Sequence, residues 1–200
     1  MYLVLSRPEL KNAFNVELLE SLSLNLEGVP ESICGVVLMG AEGFFCSGMD
    51  LKALSAAKDL GDSAAYLRDV RLGLQRVFDA LDALSCVSVS WVEGGAYGGG
   101  VGLSLACDLC CVLKSTVFCL SELRQGVLPV QIMPVLLSRL SRSLVMSMLL
   151  SAKPYSASSL GGGVIVFDQV SDFVGLIEGF QQGDIRELRE LMKGLCDVRV

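Results

Sequence analysis

Five of the seven residues at positions 94–100 are glycine, and they lie between two apolar runs, Val87–Val92 and residues 101–107. No other stretch limits the fold so strongly. A strand has to pass into a helix there with almost no Cβ atoms in the way. Backbone amides can then come unusually close to another chain segment or to a ligand oxygen. A dinucleotide fingerprint needs G-x-G-x-x-G with an acidic residue about 20 positions on, and Gly95-Ala96-Tyr97-Gly98 fits that poorly. No Gly-Lys-Ser/Thr follows, so a phosphate-cradling P-loop is excluded. Two readings stay open from the glycines alone: a tight turn packing helix on sheet, or amides aimed at an oxygen.

The flanking segments give the fold class. Residues 2–5 read as a short strand ended by Ser6-Arg7-Pro8, and Asn12 or Asn15 can cap a helix running to about Leu26, with Leu18, Leu19, Leu22 and Leu26 on one face. Residues 34–39 form an unbroken apolar run, the mark of a strand covered on both sides. Residues 44–46 are a short extended piece. The turn Ser47-Gly48-Met49-Asp50 follows, with Asp50 placed to cap a helix from Leu51. Residues 58–63 read as a mobile loop, and residues 64–84 carry a helical stripe of Leu67, Val70, Leu74, Val77, Phe78 and Leu81. Leu109–Leu113 reads as a strand, and Pro129 and Pro134 flank the start of one long amphipathic segment reaching Leu150. Strand and helix alternate, so the expected class is α/β, with no linker or repeat dividing the chain.

Composition removes several kinds of chemistry. Histidine is absent, which excludes Ser-His-Asp triads, Cys-His nucleophiles, imidazole bases and histidine-containing metal sites. Sixteen basic against 22 acidic residues leave a net charge of −6, so no nucleic-acid-binding surface is expected. Hydrophobic residues make up 52% of the 200, which calls for a test of membrane insertion. The most apolar long stretch, residues 133–152, is interrupted by Arg139 and Arg142, and the start of the chain lacks the pattern of a signal peptide. The apolar content is assigned to core and subunit interface, and the location to the cytoplasm. The eight cysteines mostly sit inside apolar runs, as buried thiols of a reducing compartment do. Cys107-x-x-Cys110 has a spacing known from zinc and redox sites, but no second pair accompanies it, so no metal is expected.

A set of motifs in fixed order then carries a resemblance. These are Arg7-Pro8 with Asn12-Ala13-Phe14, then Phe44-Phe45-Cys46-Ser47-Gly48-Met49-Asp50-Leu51, then Glu93-Gly94-Gly95-Ala96-Tyr97-Gly98-Gly99-Gly100-Val101-Gly102 running on to Ala106-Cys107-Asp108. Leu120-Ser121-Glu122 with Gly126 and Pro129, and Pro154-Tyr155-Ser156-Ala157, follow downstream. Across about residues 3–170 this order resembles the crotonase (enoyl-CoA hydratase/isomerase) superfamily. The resemblance implies a crotonase-like ββα spiral with C-terminal helices. It also implies a substrate carried as a CoA or acyl-carrier-protein thioester with no further cofactor, and a homotrimer or hexamer.

It also implies roles. In this family two backbone amides hold the thioester oxygen while an enolate forms at C2, and the matching positions are Met49 and Gly99. Gly98 and the segment Asp50, Leu51 and Lys52 would border the substrate, with Lys52 either a phosphate contact or an ordinary solvated helix charge. Many family hydratases place one glutamate shortly after the glycine turn and one in the later loop. Here the first matching position is Gly102 and the second is Glu122. Glu122 is therefore the expected acid/base. Its neighbours Val117, Phe118, Cys119 and Leu120 would desolvate it and raise its pKa if it points inward; an exposed helix-start glutamate is the alternative.

The glycine at 102 is similar to PksH-type hydratases of polyketide β-branching, which implies dehydration of a 3-hydroxy-3-methylglutaryl thioester. A Δ3,Δ2-enoyl-CoA isomerase also needs only one base, and a non-catalytic crotonase-like scaffold or fragment is a third reading. Against the family pattern both ends look shortened: the chain starts almost at Arg7-Pro8, residues 160–163 are glycine-heavy, and little follows Val170. Residues 1–170 are expected to form the core domain and residues 171–200 a truncated helical segment, its last helix spanning residues 185–195.

Overall fold

The computed structural model describes residues 1–178. Strand β1 (Tyr2–Leu5) leads through a 3-10 turn to helix α1 (Val16–Glu27). Asn15, not Asn12, caps α1: its side chain accepts the Leu18 amide, and Leu19, Leu22 and Leu26 turn inward. Asn12 has a different task. Fully buried and in the left-handed region (φ 55°), it donates to the carbonyls of Ala41 and Phe44 and accepts the Arg7 amide.

Strand β2 (Gly35–Gly40) is followed by an extended piece at residues 44–46, then α2 (Leu51–Asp59) and α3 (Ser63–Ala83). Next come β3 (Val87–Val92), β4 (Gly95–Tyr97), α4 (Gly99–Ala106), β5 (Leu109–Leu113) and β6 (Val117–Cys119). A 3-10 turn at Glu122–Gln125, α5 (Met133–Arg139), α6 (Arg142–Ser151), β7 (Tyr155–Ser156), β8 (Ile165–Phe167) and α7 (Val170–Glu178) complete the described chain.

Two sheets result. The larger has the order β1-β2-β3-β5-β8 with every pairing parallel; the smaller is β4-β6-β7, parallel between β4 and β6 and antiparallel between β6 and β7. The chain winds between them. β2 lies in the large sheet, and Cys46 then bridges to Ala96 of the small sheet before α2 and α3. β3, β4 and α4 make the next turn, and β5, β6, α5 and α6 the last. This is the ββα spiral that the sequence resemblance implies. Parallel strands need long crossovers, and each helix supplies one while covering the sheet with its apolar face. Phe45, Phe118, Leu38, Leu103 and Leu136 are almost wholly buried between the layers. On the opposite sheet face Phe173 of α7 stacks on Trp91 at 4.2 Å between ring centres.

Two expected elements differ. Residues 58–63 are not an open loop: α2 continues to Asp59 and α3 begins at Ser63. The connection is closed by hydrogen bonds that the Leu60, Gly61 and Asp62 amides donate to the carbonyls of Ala56, Lys58 and Ala57, respectively. The amphipathic segment to Leu150 is two helices rather than one, because Leu140 turns extended and Ser141 starts α6 by accepting the Leu144 amide. The helix expected over residues 185–195 lies outside the described residues, as does Cys196. Among the described residues no helix is long and apolar enough to cross a membrane.

Candidate active site

The site is built where two turns meet. Residues 46–50 are stitched between residue 14 on one side and the glycine turn on the other. The Phe14 amide donates to the Gly48 carbonyl (2.8 Å), the Asp50 amide to the Phe14 carbonyl (2.9 Å), and the Tyr97 amide to the Cys46 carbonyl (2.9 Å). Gly48 has φ +88°, and a Cβ on it would lie 2.6 Å from the Tyr97 oxygen and 3.5 Å from the Gly99 nitrogen. Only glycine allows that approach. The ladder leaves two amides over. Among the described residues neither the Met49 nor the Gly99 N–H donates to a protein acceptor. Gly99 opens α4, so its amide also carries the positive end of the helix dipole.

A third segment brings the carboxylate. The Gly98 amide donates to the Cys119 carbonyl (2.8 Å), which aligns the end of β6 with the glycine turn. Glu122 then starts the 3-10 turn, and the Val127 amide returns to the Glu122 carbonyl (3.0 Å). Gly98 has φ +52° and ψ −124°, and a Cβ there would sit 2.9 Å from Glu122 Oε1. Glu122 Oε2 is buried with no hydrogen-bond partner among the described residues. Burial pushes the Glu122 pKa above its ordinary 4.5, opposed only in part by the nearby amides of Glu122 and Ser121. The inward-pointing form anticipated from the neighbouring residues is the one the structure adopts.

Met49, Gly99 and Glu122 border one cavity of ≈ 70 Å³, lined otherwise by mostly apolar groups, among them Phe14, Leu74 and Ile132, and by Arg71 and Gln131. Gly102 lies behind it, and a Cβ on Gly102 would overlap Ile132 Cγ2 and stand 2.6 Å from Ile132 Cβ. Space next to residue 102 is therefore filled by isoleucine.

The remaining expected site residues do not line this cavity. Asp50 is 4% exposed; its carboxylate accepts the Lys52 (3.0 Å) and Ala53 (3.1 Å) amides and pairs with Arg7 at 2.8 Å. Burial alone would raise its pKa, but the Ala53 amide, the Arg7 guanidinium and the Lys52 amide together hold it below 3.8. Arg7 also donates to the Ala13 carbonyl (2.7 Å), so this pair fixes the turn that carries Met49. Leu51 and Lys52 are exposed in the first turn of α2, away from the cavity lining, and Gly98 touches Glu122 without lining it.

Sequence reasoning did not find Phe14, Ile132 or Arg71, which all line the cavity. Phe14 and Ile132 leave no local signal, since each is one apolar residue among many. Arg71 does leave one. It follows Leu67 by four positions in the apolar stripe of α3, where a charge is out of pattern. As for metals, Cys107 and Cys110 are buried in the core, and among the described residues no group of three or more His, Cys, Asp or Glu could hold an ion.

The sequence profile of the family described as "Enoyl-CoA hydratase/isomerase" matches residues 1–176. The Alternaria alternata protein "Enoyl-CoA hydratase AFT6-1" is 32% identical over 160 residues, covering 79% of this chain and 51% of the relative. The Bacillus subtilis "Bacillaene synthase dehydratase PksH" is 30% identical over 174 residues, covering 86% of this chain and 66% of the relative. Among solved structures, Pseudomonas aeruginosa AtuE superposes with a TM-score of 0.87 at 25% identity, covering 98% of this chain and 78% of that one. The chain spans about half the length of the first curated relatives it matches. Fold, motif order and profile agree: the chain belongs to the enoyl-CoA hydratase/isomerase (crotonase) family.

Proposed function

We propose that this chain performs enolate chemistry on an acyl thioester, with Glu122 as its single acid/base and the Met49 and Gly99 amides as the oxyanion hole. The observation that carries the reading is the Glu122 carboxylate: buried, unpartnered at Oε2, and bordering the same cavity as the two free amides. A carboxyl of raised pKa accepts a proton and returns it without a large energetic mismatch. Amides already held by the two turns need no reorganisation as charge develops on the thioester oxygen.

The reaction proposed is dehydration, and its reverse, of a 3-hydroxyacyl group of the 3-hydroxy-3-methylglutaryl kind. Glu122 takes the C2 proton, and the electron pair moves onto the thioester oxygen between the two amides. The enolate then reforms its carbonyl, the C2–C3 double bond forms, and the C3 hydroxyl departs as water with the proton from Glu122. The PksH relative supports this branch. Delivery by CoA or by an acyl carrier protein, and self-association as a homotrimer or hexamer in the cytoplasm, belong to the same proposal. The cavity of ≈ 70 Å³ is well below the ~300 Å³ of a small-molecule pocket, and Val127, Leu128, Pro129 and Gln131, which line one side of it, lie in a stretch that forms no helix or strand.

A second reading, Δ3,Δ2-enoyl-CoA isomerisation, is favoured by one observation: among the described residues Glu122 is the one carboxylate lining the cavity. It would move a proton from C2 to C4 and release no water.

The test is turnover by the full chain of a 3-hydroxy-3-methylglutaryl carrier-protein thioester and of a 3-enoyl-CoA, each with native protein and Glu122→Gln. Dehydration abolished in the variant supports the first reading; isomerisation alone supports the second. No turnover of either, with a trimer still seen by size exclusion, would replace both with a non-catalytic scaffold.

A further inference from the structure

Among the described residues the cavity is lined by two groups with full-charge chemistry, Glu122 and Arg71. Arg71 lies on α3, where Leu67, Val70, Arg71 and Leu74 occupy positions i, i+3, i+4 and i+7 and so share one helix face. All four line the cavity. Three are apolar, as a face closing a hydrophobic cleft requires. The fourth is a guanidinium.

Several other cations of the described chain are engaged within the fold. Arg7 pairs with Asp50, Arg68 with Asp69 and Lys114 with Asp168, while Arg124 and Arg139 donate to the Ser151 and Asp108 carbonyls. Arg71 makes no hydrogen bond or ion pair among the described residues, with Glu122 or any other group. It is exposed, so it stays hydrated until something arrives. In a chain of net charge −6 it offers an anion a local attraction at the cleft that the rest of the molecule opposes. A guanidinium presents several N–H donors in a planar fork that matches a carboxylate with two parallel bonds.

We infer that Arg71 binds a free carboxylate at the far end of the acyl chain, so that the substrates of this site are acyl thioesters of dicarboxylic acids. This rests on the reading of the cavity as an acyl-thioester site and adds to it the residue that would recognise the free carboxylate of a glutaryl-type chain, and with it a selection against neutral chains. Glu122 works at C2, the amides hold the thioester oxygen, and Arg71 holds the opposite end. A neutral acyl chain gains nothing from Arg71 and leaves it in water.

Binding to the full chain by calorimetry tests this without turnover, because saturated ligands do not react. The probes are 3-methylglutaryl-CoA, its neutral terminal-amide isostere on CoA, and the N-acetylcysteamine thioester of 3-methylglutarate, which lacks every phosphate. Native protein should bind the carboxylate form roughly fivefold or more tightly than the amide, the scale of a partly screened ion pair. Arg71→Gln should remove that preference and Arg71→Lys keep part of it. The N-acetylcysteamine ester should lose affinity on Arg71→Gln by the same factor. Equal binding of carboxylate and amide by native protein overturns the inference. So does a loss on Arg71→Gln shared by both CoA esters but absent from the N-acetylcysteamine ester, which would assign Arg71 to a phosphate of CoA. Failure of every probe to bind would instead overturn the thioester reading itself.

Discussion

Ile132 occupies the space that any side chain at position 102 would need: a Cβ on Gly102 overlaps Ile132 Cγ2 and stands 2.6 Å from Ile132 Cβ. Both are almost fully buried, one in α4 and the other at the residue that caps α5, so neither element can give way without repacking the core. The absence of a carboxylate at 102 is therefore built into two elements rather than one codon. The pair leaves Glu122 as the acid that lines the cavity among the described residues.

Gly102→Ala should cost about 1–3 kcal/mol, the range for overpacking a dense core. Ile132→Ala in the same chain should recover part of that loss, since its own Cβ still crowds position 102. A double-mutant cycle by urea unfolding measures the coupling; additive losses would show that the two side chains do not compete.

Glu122→Gln should abolish turnover while raising stability at neutral pH. The folded carboxyl titrates above its ordinary 4.5, so the native state binds more protons than the unfolded chain between those two values. Stability then falls as pH rises from about 4.5 through the folded pKa, and stays lowered above it. Glutamine cannot ionise, so the melting temperature of the variant should exceed that of the native chain at pH 8 and approach it near pH 4. The same difference at both pH values would count against a desolvated Glu122.

Gly98→Ala should reduce kcat more than it weakens substrate binding. The backbone at Gly98 (φ +52°, ψ −124°) is one that L side chains avoid, at a cost of about 1–3 kcal/mol, and the new methyl would press on Glu122 Oε1. Steady-state kinetics with thermal melts separates the two effects, because a purely structural change would lower the melting temperature and leave the kcat of the folded fraction alone.

Asp50→Ala should destabilise by about 2–3 kcal/mol, combining a lost N-cap with an Arg7 left without its partner. Asp50 has a lowered folded pKa, so its contribution is complete above 3.8 and disappears as pH falls through the folded value. The gap between native and variant chains in urea should therefore be full at pH 6 and shrink below pH 3.8. Because Arg7 and Asp50 brace the turn carrying Met49, turnover should fall as well.

How much was legible beforehand depended on whether the information was local. The strands at residues 2–5, 87–92 and 109–113 follow from apolar runs, the α2 start from the cap at Asp50, and the site from motifs whose order survives in one dimension. Residues 58–63 read as a loop because charged and glycine residues cluster there, while the backbone hydrogen bonds that close the α2–α3 turn leave no mark on composition. The break at Ser141 was hidden because apolar residues continue across it at helical spacing.

By itself the sequence determined the α/β winding, through periodicity, and the family, through motifs in order; from that resemblance came Glu122 as the expected carboxylate. Only the tertiary structure decided what surrounds that carboxylate. Phe14, Arg71 and Ile132 reach the cavity from three distant segments, and Asp50 turns from it to cap α2 and hold Arg7. Side chains far apart along the chain exclude or neutralise one another only once the backbone has brought them within van der Waals or hydrogen-bond reach, and no local pattern encodes that distance.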